Sequence, residues 1–239
     1  RYFTAGKFQP EQDAAYVEIM NRAPGAPHHR VLLATEPLAH ALYDAVDARD
    51  LPGMTDVDAS LLLLCREMKK AATVGLSGEC ADELFGGYPW YRDPEIRARQ
   101  GFPWAQSTAW RASFLPEALR GEAEDYVAAR YGETAAMAQP LDGDSGVDRR
   151  MREMYHLNFH WFMQTLLDRK DRMSMASGFE VRVPFCDHRL AEYLYNVPWA
   201  FKDRDGHEKG LLRHAMAGVL PEQVLWRKKS PYPKTHHPA

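Results

Sequence analysis

The stretch Val74–Trp90, VGLSGECADELFGGYPW, constrains the fold of this chain more than any other. Thr73–Leu76 reads as a short buried strand that stops at Ser77-Gly78 and runs into Glu79, Asp82 and Glu83. In an open α/β sheet, ligands gather outside the carboxyl ends of strands, so this acidic strand end is the first place to look for chemistry. A helix starting near Cys80 would place Glu79 at its mouth, where the dipole favours negative charge. The spacing i, i+3, i+4 lets all three carboxylates approach one side. Converging carboxylates repel unless a partner relieves them. Mg²⁺ held jointly by carboxylates and substrate phosphates is one such partner. A base that takes a proton from an incoming amine is another use, and plain capping of an acid-rich first turn is a third. Gly86-Gly87 is not a phosphate loop, since neither GxGxxG nor GxxxxGK[ST] occurs. Tyr88, Trp90 and Tyr91 read as packing rather than as a base-stacking platform.

Upstream, Asp13–Met20 has the pattern of a short helix and Val31–Ala34 that of a short buried strand. Leu38, Leu42, Ala45 and Val46 then recur at helical spacing. Pro52-Gly53 marks a loop over Ala48–Asp56, and Thr55 with Asp58 suggests a short-armed capping box for the next helix. Strand, helix, strand with short connections is the grammar of an α/β unit, although only about two strands are visible. From Tyr91 to Gly146 the chain is rich in Pro and Gly, with helical character over Glu117–Arg130 and a surface excursion at Pro140–Asp148. Met151 to Leu167, Leu190 to Val197 and Lys209 to Leu220 carry apolar residues by threes and fours. The expected fold class is therefore α/β: an incomplete sheet over residues 1–90, followed by a mainly helical part over residues 91–239.

Composition narrows the function classes. With 45% apolar residues, 239 residues can bury a substantial core. A net charge of −3 argues against a general nucleic-acid surface. No run approaches the ~18–20 apolar residues of a membrane span. Cys65, Cys80 and Cys186 match neither a disulfide framework nor a zinc knuckle, so reduced thiols in a cytoplasmic protein are expected.

Two further constellations stand out. The segment Asp168–Arg189, DRKDRMSMASGFEVRVPFCDHR, sets four arginines against four acids. Its alternation of Val181, Val183 and Phe185 with Arg182 suggests an extended piece with Arg182 buried and paired, an arrangement that can be purely architectural. In HEKGLLR, Lys209 sits at a helix start, where cations fare worse; it is either solvated or facing an anion. The run Arg227-Lys228-Lys229 reads as a solvated face.

The segments LSGECADELFGGYPWY, DRMSMASGFEVRVPFCDHRL, EKGLLRHA and LPEQVLWRKKSPYPKT, in this order, resemble the synthetase domain of glutamine-dependent asparagine synthetases. FQPEQDAAYVEIM and ARDLPGMTDVDASLLLLCREMKK are similar to its bacterial members. The resemblance implies an adenine-nucleotide alpha-hydrolase type sheet followed by helices. It implies amidation of aspartate, with ATP and Mg²⁺ forming an aspartyl-adenylate and with glutamine or ammonia as nitrogen donor. Carried over residue by residue, Ser77, Gly78, Glu79, Asp82 and Glu83 fall on the family's acidic motif. Glu79 resembles the glutamate that organises the intermediate and handles a proton from ammonia. Asp82 resembles the aspartate that helps hold Mg²⁺ and pyrophosphate, and Lys209 the lysine that contacts phosphate. Asp50 and Ser60 fall in the segment bordering the nucleotide and aspartate pocket, and Arg182 in a segment that shapes the site.

The sequence departs from the family in lacking its glycine-rich pyrophosphate loop and its N-terminal glutaminase domain. The 239-residue chain is therefore expected to be inactive alone, with an open sheet edge that leaves room for homo-oligomer formation. A related ATP-dependent amide- or lactam-forming synthetase, or a non-catalytic binding module, are the alternatives. Intact Glu79, Asp82 and Lys209 speak against the last.

Overall fold

The computed structural model describes residues 13–22, 27–51 and 53–229. Pro52, the FQPEQ stretch and the SPYPKT stretch lie outside the described residues. The chain is mostly helical and forms two compact units, each assembled from discontinuous segments.

The first unit comprises residues 1–78, 165–184 and 212–239. Its core is a helix pair, Thr35–Arg49 packed on Thr55–Lys69. Ala41 and Ala45, one turn apart, let the two helices approach closely around Ala59, Leu62 and Cys65, with Met173 and Phe179 closing the cluster. The second helix is capped at Met54, whose N–H donates to the Asp58 carboxylate at 2.9 Å. That carboxylate is buried and paired with Arg49, while the Thr55 side chain expected to cap this helix lies outside the described residues.

Among the described residues the only sheet is two parallel strands, β1 (Val74–Leu76) and β2 (Glu180–Arg182), in register Gly75↔Val181. The Ser77 N–H extends the ladder to the Arg182 carbonyl at 2.9 Å. Gly75 is required here, because a Cβ would lie 2.5 Å from the Phe179 ring. The strand expected at Val31–Ala34 does not form: the segment has no regular secondary structure, pairs with no strand among the described residues, and leaves Leu32 91% exposed. A short apolar run without a ladder partner has no reason to become a strand. Arg182 is likewise not buried; its side chain is 64% exposed and bonds Glu180 on the same strand at 2.8 Å. Arg227 departs from the solvated face expected of it: it pairs with Asp13 and lies over the Tyr16 ring.

The second unit comprises residues 79–164 and 185–211. Its core joins Tyr91, Met151, Met154, Tyr155 and Trp199, with Tyr88 and Trp90 stacked 4.2 Å apart against it. The aromatic run after Gly87 is thus packing, as expected. The helix Gly146–Leu157 starts at Ser145, whose hydroxyl accepts from the Asp148 N–H, and continues into a π-helical turn at Asn158–Met163. The segment before it is irregular but pinned, because Asp144 and Arg152 form a bidentate pair with side chains 6% and 5% exposed. The expected helix from Lys209 to Leu220 is shorter, Gly210–Ala215. No helix of the described residues is long and apolar enough to cross a membrane.

Candidate active site

The acidic turn begins where β1 ends. Cys80 adopts φ 72°, and the helix that follows, Ala81–Phe85, has only five residues. A helix this short has little dipole to offer, so the expected dipole stabilisation of Glu79 is not what builds the site. Packing builds it instead. Gly86 terminates the helix at φ 70° and lies under Trp199, where a Cβ would meet the ring at 2.5 Å. Gly87 leaves room for Asp82: a Cβ there would sit 1.9 Å from Asp82 Oδ1. Glu83 points away from solvent, 1% exposed, and accepts from the Tyr88 hydroxyl at 2.5 Å. Burial and the Glu83 charge hold that phenol well above its ordinary range, so it stays a donor. Of the three carboxylates, Glu83 is therefore structural, while Glu79 and Asp82 remain half-buried at the turn.

Lys209 reaches this turn from a distant part of the sequence. Its Nζ lies 2.9 Å from Asp82 Oδ1, with both side chains about one-quarter exposed. The structure thus brings together Asp82 and Lys209, and Glu79 by chain proximity. The lysine sits at φ 57° in a tight loop, Asp203–Gly210, in which Asp205 and Gly206 are also left-handed. Gly210 packs so closely on Arg204 that a Cβ would meet its backbone at 2.5 Å. Only four non-glycine residues among those described have positive φ: Asp50, Cys80, Asp205 and Lys209. Such backbone costs roughly 1–2 kcal/mol per residue, and it collects at functional sites.

The cysteines correct the sequence expectation. Cys80 and Cys186 are bonded, with Cα atoms 5.9 Å apart, while Cys65 forms no disulfide and is buried in the first unit. The acidic turn packs on the segment carrying Cys186, as the edge-on contact of Phe85 with Phe185 at 6.1 Å also shows. A pairing made by tertiary packing across 106 residues leaves no spacing signature.

Asp50, Ser60, Ser77, Gly78 and Arg182 belong to the first unit. Asp50 ends its helix at φ 62° and accepts from Arg172 at 3.0 Å, with its side chain 81% exposed. Ser60 is buried, and its hydroxyl donates back to the Val57 carbonyl at 3.0 Å. Sequence reasoning missed Arg92. Its guanidinium donates to the carbonyls of Gly86 and His207 and to the Asp203 carboxylate. The signal was present in the Gly86-Gly87 pair, whose tight backbone needs something to hold it.

The asparagine synthase family description matches residues 1–239. The chain is 52% identical over 240 residues to asparagine synthetase [glutamine-hydrolyzing] 3 of Bacillus subtilis, covering 100% of this chain and 39% of that protein. It is 31% identical over 204 residues to asparagine synthetase [glutamine-hydrolyzing] 1 of the same organism, covering 72% and 32%. With the asparagine synthetase of Rattus norvegicus it shares 28% over 217 residues, covering 87% and 29%. The chain thus spans about two-fifths or less of the length of these relatives.

Proposed function

The chain belongs to the asparagine synthase family, and on that premise we propose that its parent protein is an ATP-dependent ligase that amidates aspartate in the cytoplasm. The aspartate side-chain carboxylate attacks the α-phosphorus of ATP, giving aspartyl-adenylate and pyrophosphate. Ammonia, from glutamine or from solution, then attacks the acyl carbon, and AMP leaves with asparagine formed. The two parallel strands are read as part of an adenine-nucleotide alpha-hydrolase type sheet. Residues 1–90 are read as the nucleotide-binding portion and residues 91–239 as the helical synthetase portion.

The observation that carries this reading is the Lys209–Asp82 pair beside Glu79, held by left-handed backbone on both sides. The Lys209 ammonium is fixed before substrate arrives, which is what a charge meant for a leaving pyrophosphate needs. Asp82 holds that ammonium at 2.9 Å. Glu79 takes the proton released as ammonia adds to the acyl carbon. By resemblance to the family, Ser77, Gly78 and Asp50 of the first unit are assigned to nucleotide binding, and Ser60 and Arg182 to substrate binding.

The residues fit Mg²⁺ of one kind only. Among those described, no group of three or more His, Cys, Asp or Glu could cage a metal. Mg²⁺ commonly relies on one or two carboxylates plus phosphates, and Asp82, for which Gly87 leaves room and which Lys209 also touches, is the carboxylate that would share it with the phosphates. When bound, it supplies charge neutralisation to the phosphate oxygens.

The test is a product balance with the complete protein, ATP, Mg²⁺, aspartate and either glutamine or ammonium. One AMP, one pyrophosphate and one asparagine per turnover are expected. ADP and phosphate in their place, or a different acceptor carboxylate used with aspartate ignored, would overturn the reading.

A further inference from the structure

We propose that Arg92 is a positioning residue for this reaction, a guanidinium clamp that fixes the Lys209 ammonium at Asp82. The inference rests on the role given to Lys209 above. Arg92 Nη1 donates to the Gly86 carbonyl at 2.8 Å. Nη2 donates to the His207 carbonyl at 2.9 Å and to Asp203 Oδ1. Gly86 closes the short helix that carries Asp82, and the next N–H, from Gly87, returns to the Asp82 carbonyl at 2.8 Å. Asp203 opens the lysine loop, and His207 stands two residues before Lys209. One planar cation therefore ties the backbone arm bearing the carboxylate to the backbone arm bearing the lysine.

The loop's backbone bonds among the described residues are local. Gly206 N–H donates to Asp203, His207 N–H to Arg204 and Gly210 N–H to His207. These shape the turn, whereas Arg92 anchors it to the acidic turn. The guanidinium is itself oriented over the Trp199 ring at 5.4 Å, and Trp199 packs against Gly86. The geometry requires arginine. Three acceptors on two segments call for several donors in a fixed fork, and a lysine ammonium on a flexible stem does not reproduce that. Arg92 touches none of the atoms that react; it acts through Lys209.

The test uses the complete protein, with Arg92→Ala and Arg92→Lys. The first readout is aspartate-dependent ATP–pyrophosphate exchange. The second is the rate at which an N-hydroxysuccinimide ester acetylates Lys209, followed by peptide mass spectrometry. A mispositioned ammonium should lower kcat for exchange about 10–100-fold while the KM for ATP changes little. Lys209 acetylation should accelerate several-fold, and added guanidinium ion should restore part of the exchange lost in Arg92→Ala. If that variant does not fold, Arg92→Lys carries the test, with the same direction expected. Wild-type kcat and wild-type Lys209 labelling in a folded variant would overturn the clamp. So would lost exchange with unchanged labelling, which would place the effect elsewhere. If the wild-type protein shows no exchange at all, the proposed function fails, and the labelling rates alone decide the clamp.

Discussion

The two units treat the charges at their candidate site residues in opposite ways. In the unit containing the acidic turn, charge is fixed by packing. Glu83 is buried on Tyr88, Arg92 bonds three acceptors, and Lys209 is held at Asp82 by backbone that glycine would adopt more readily. In the unit containing the sheet, Asp50 and Arg182 sit in exposed pairs with Arg172 and Glu180. Exposed pairs of this kind contribute little to stability, with a median near 0–1 kcal/mol. Under the proposed function, the first arrangement would be preorganised for a transition state at the cost of backbone strain, and the second would cost little to rearrange on ligand binding.

Several substitutions sharpen or break this contrast. The largest effect is expected from Lys209→Gly. Glycine suits φ 57°, so the melting temperature of the complete protein should hold or rise. Asparagine formation should nevertheless fall on the order of 10³-fold. A variant that melts early but keeps its activity would erase the contrast. Gly87→Ala comes next. Its methyl group would fall 1.9 Å from Asp82 Oδ1, so Asp82 must move off Lys209, and activity should drop about 10²-fold. Unchanged activity would mean the position of Asp82 does not matter.

Lys202 offers a test on stability alone. It is 1% exposed, with its ammonium 3.7 Å from the Tyr155 ring centroid. Burial, aided by nearby Arg152, pulls its pKa from 10.5 down to about 7. The folded protein therefore releases this proton near neutrality, whereas the unfolded chain keeps it into the alkaline range. The stability penalty is complete below neutral pH and is relieved as pH rises toward 10. The Tyr155 face offsets part of it. Lys202→Met should stabilise the protein by about 1–3 kcal/mol at pH 6, with a smaller gain near pH 9, as chemical denaturation at the two pH values would show. A gain that grew with pH would contradict the burial argument. The smallest effect is expected from Asp50→Gly. Its φ of 62° and exposed side chain predict a stability change within about 0.5 kcal/mol, while the KM for ATP rises several-fold. An unchanged KM would remove Asp50 from the site.

Much of this was legible in the sequence, for reasons that particular residues explain. The helices were written in apolar periodicity, and β1 in its apolar run and Ser77-Gly78 stop, although Val74 and Leu76 are exposed rather than buried as expected. Val31–Ala34 carried the same local signal but found no strand to pair with, and local pattern cannot report a missing partner. Motifs point to Glu79, Asp82 and Lys209, while the meeting of Asp82 with Lys209 is a tertiary fact. The same holds for Cys80 with Cys186, and for Arg92, which in sequence is one more basic residue after an aromatic run. Arg182 was misplaced because alternation marks which face a strand residue occupies, and in a two-stranded sheet one face remains in solvent.

The most direct test of the central claim compares Glu79→Gln with Lys209→Gly in the complete protein by aspartate-dependent ATP–pyrophosphate exchange. Exchange reports adenylation without the ammonia step. Glu79→Gln should keep exchange while losing asparagine formation, and Lys209→Gly should lose both. If Lys209→Gly exchanges like the wild type, or Glu79→Gln makes asparagine at the wild-type rate, the acidic turn is not the centre of this chemistry.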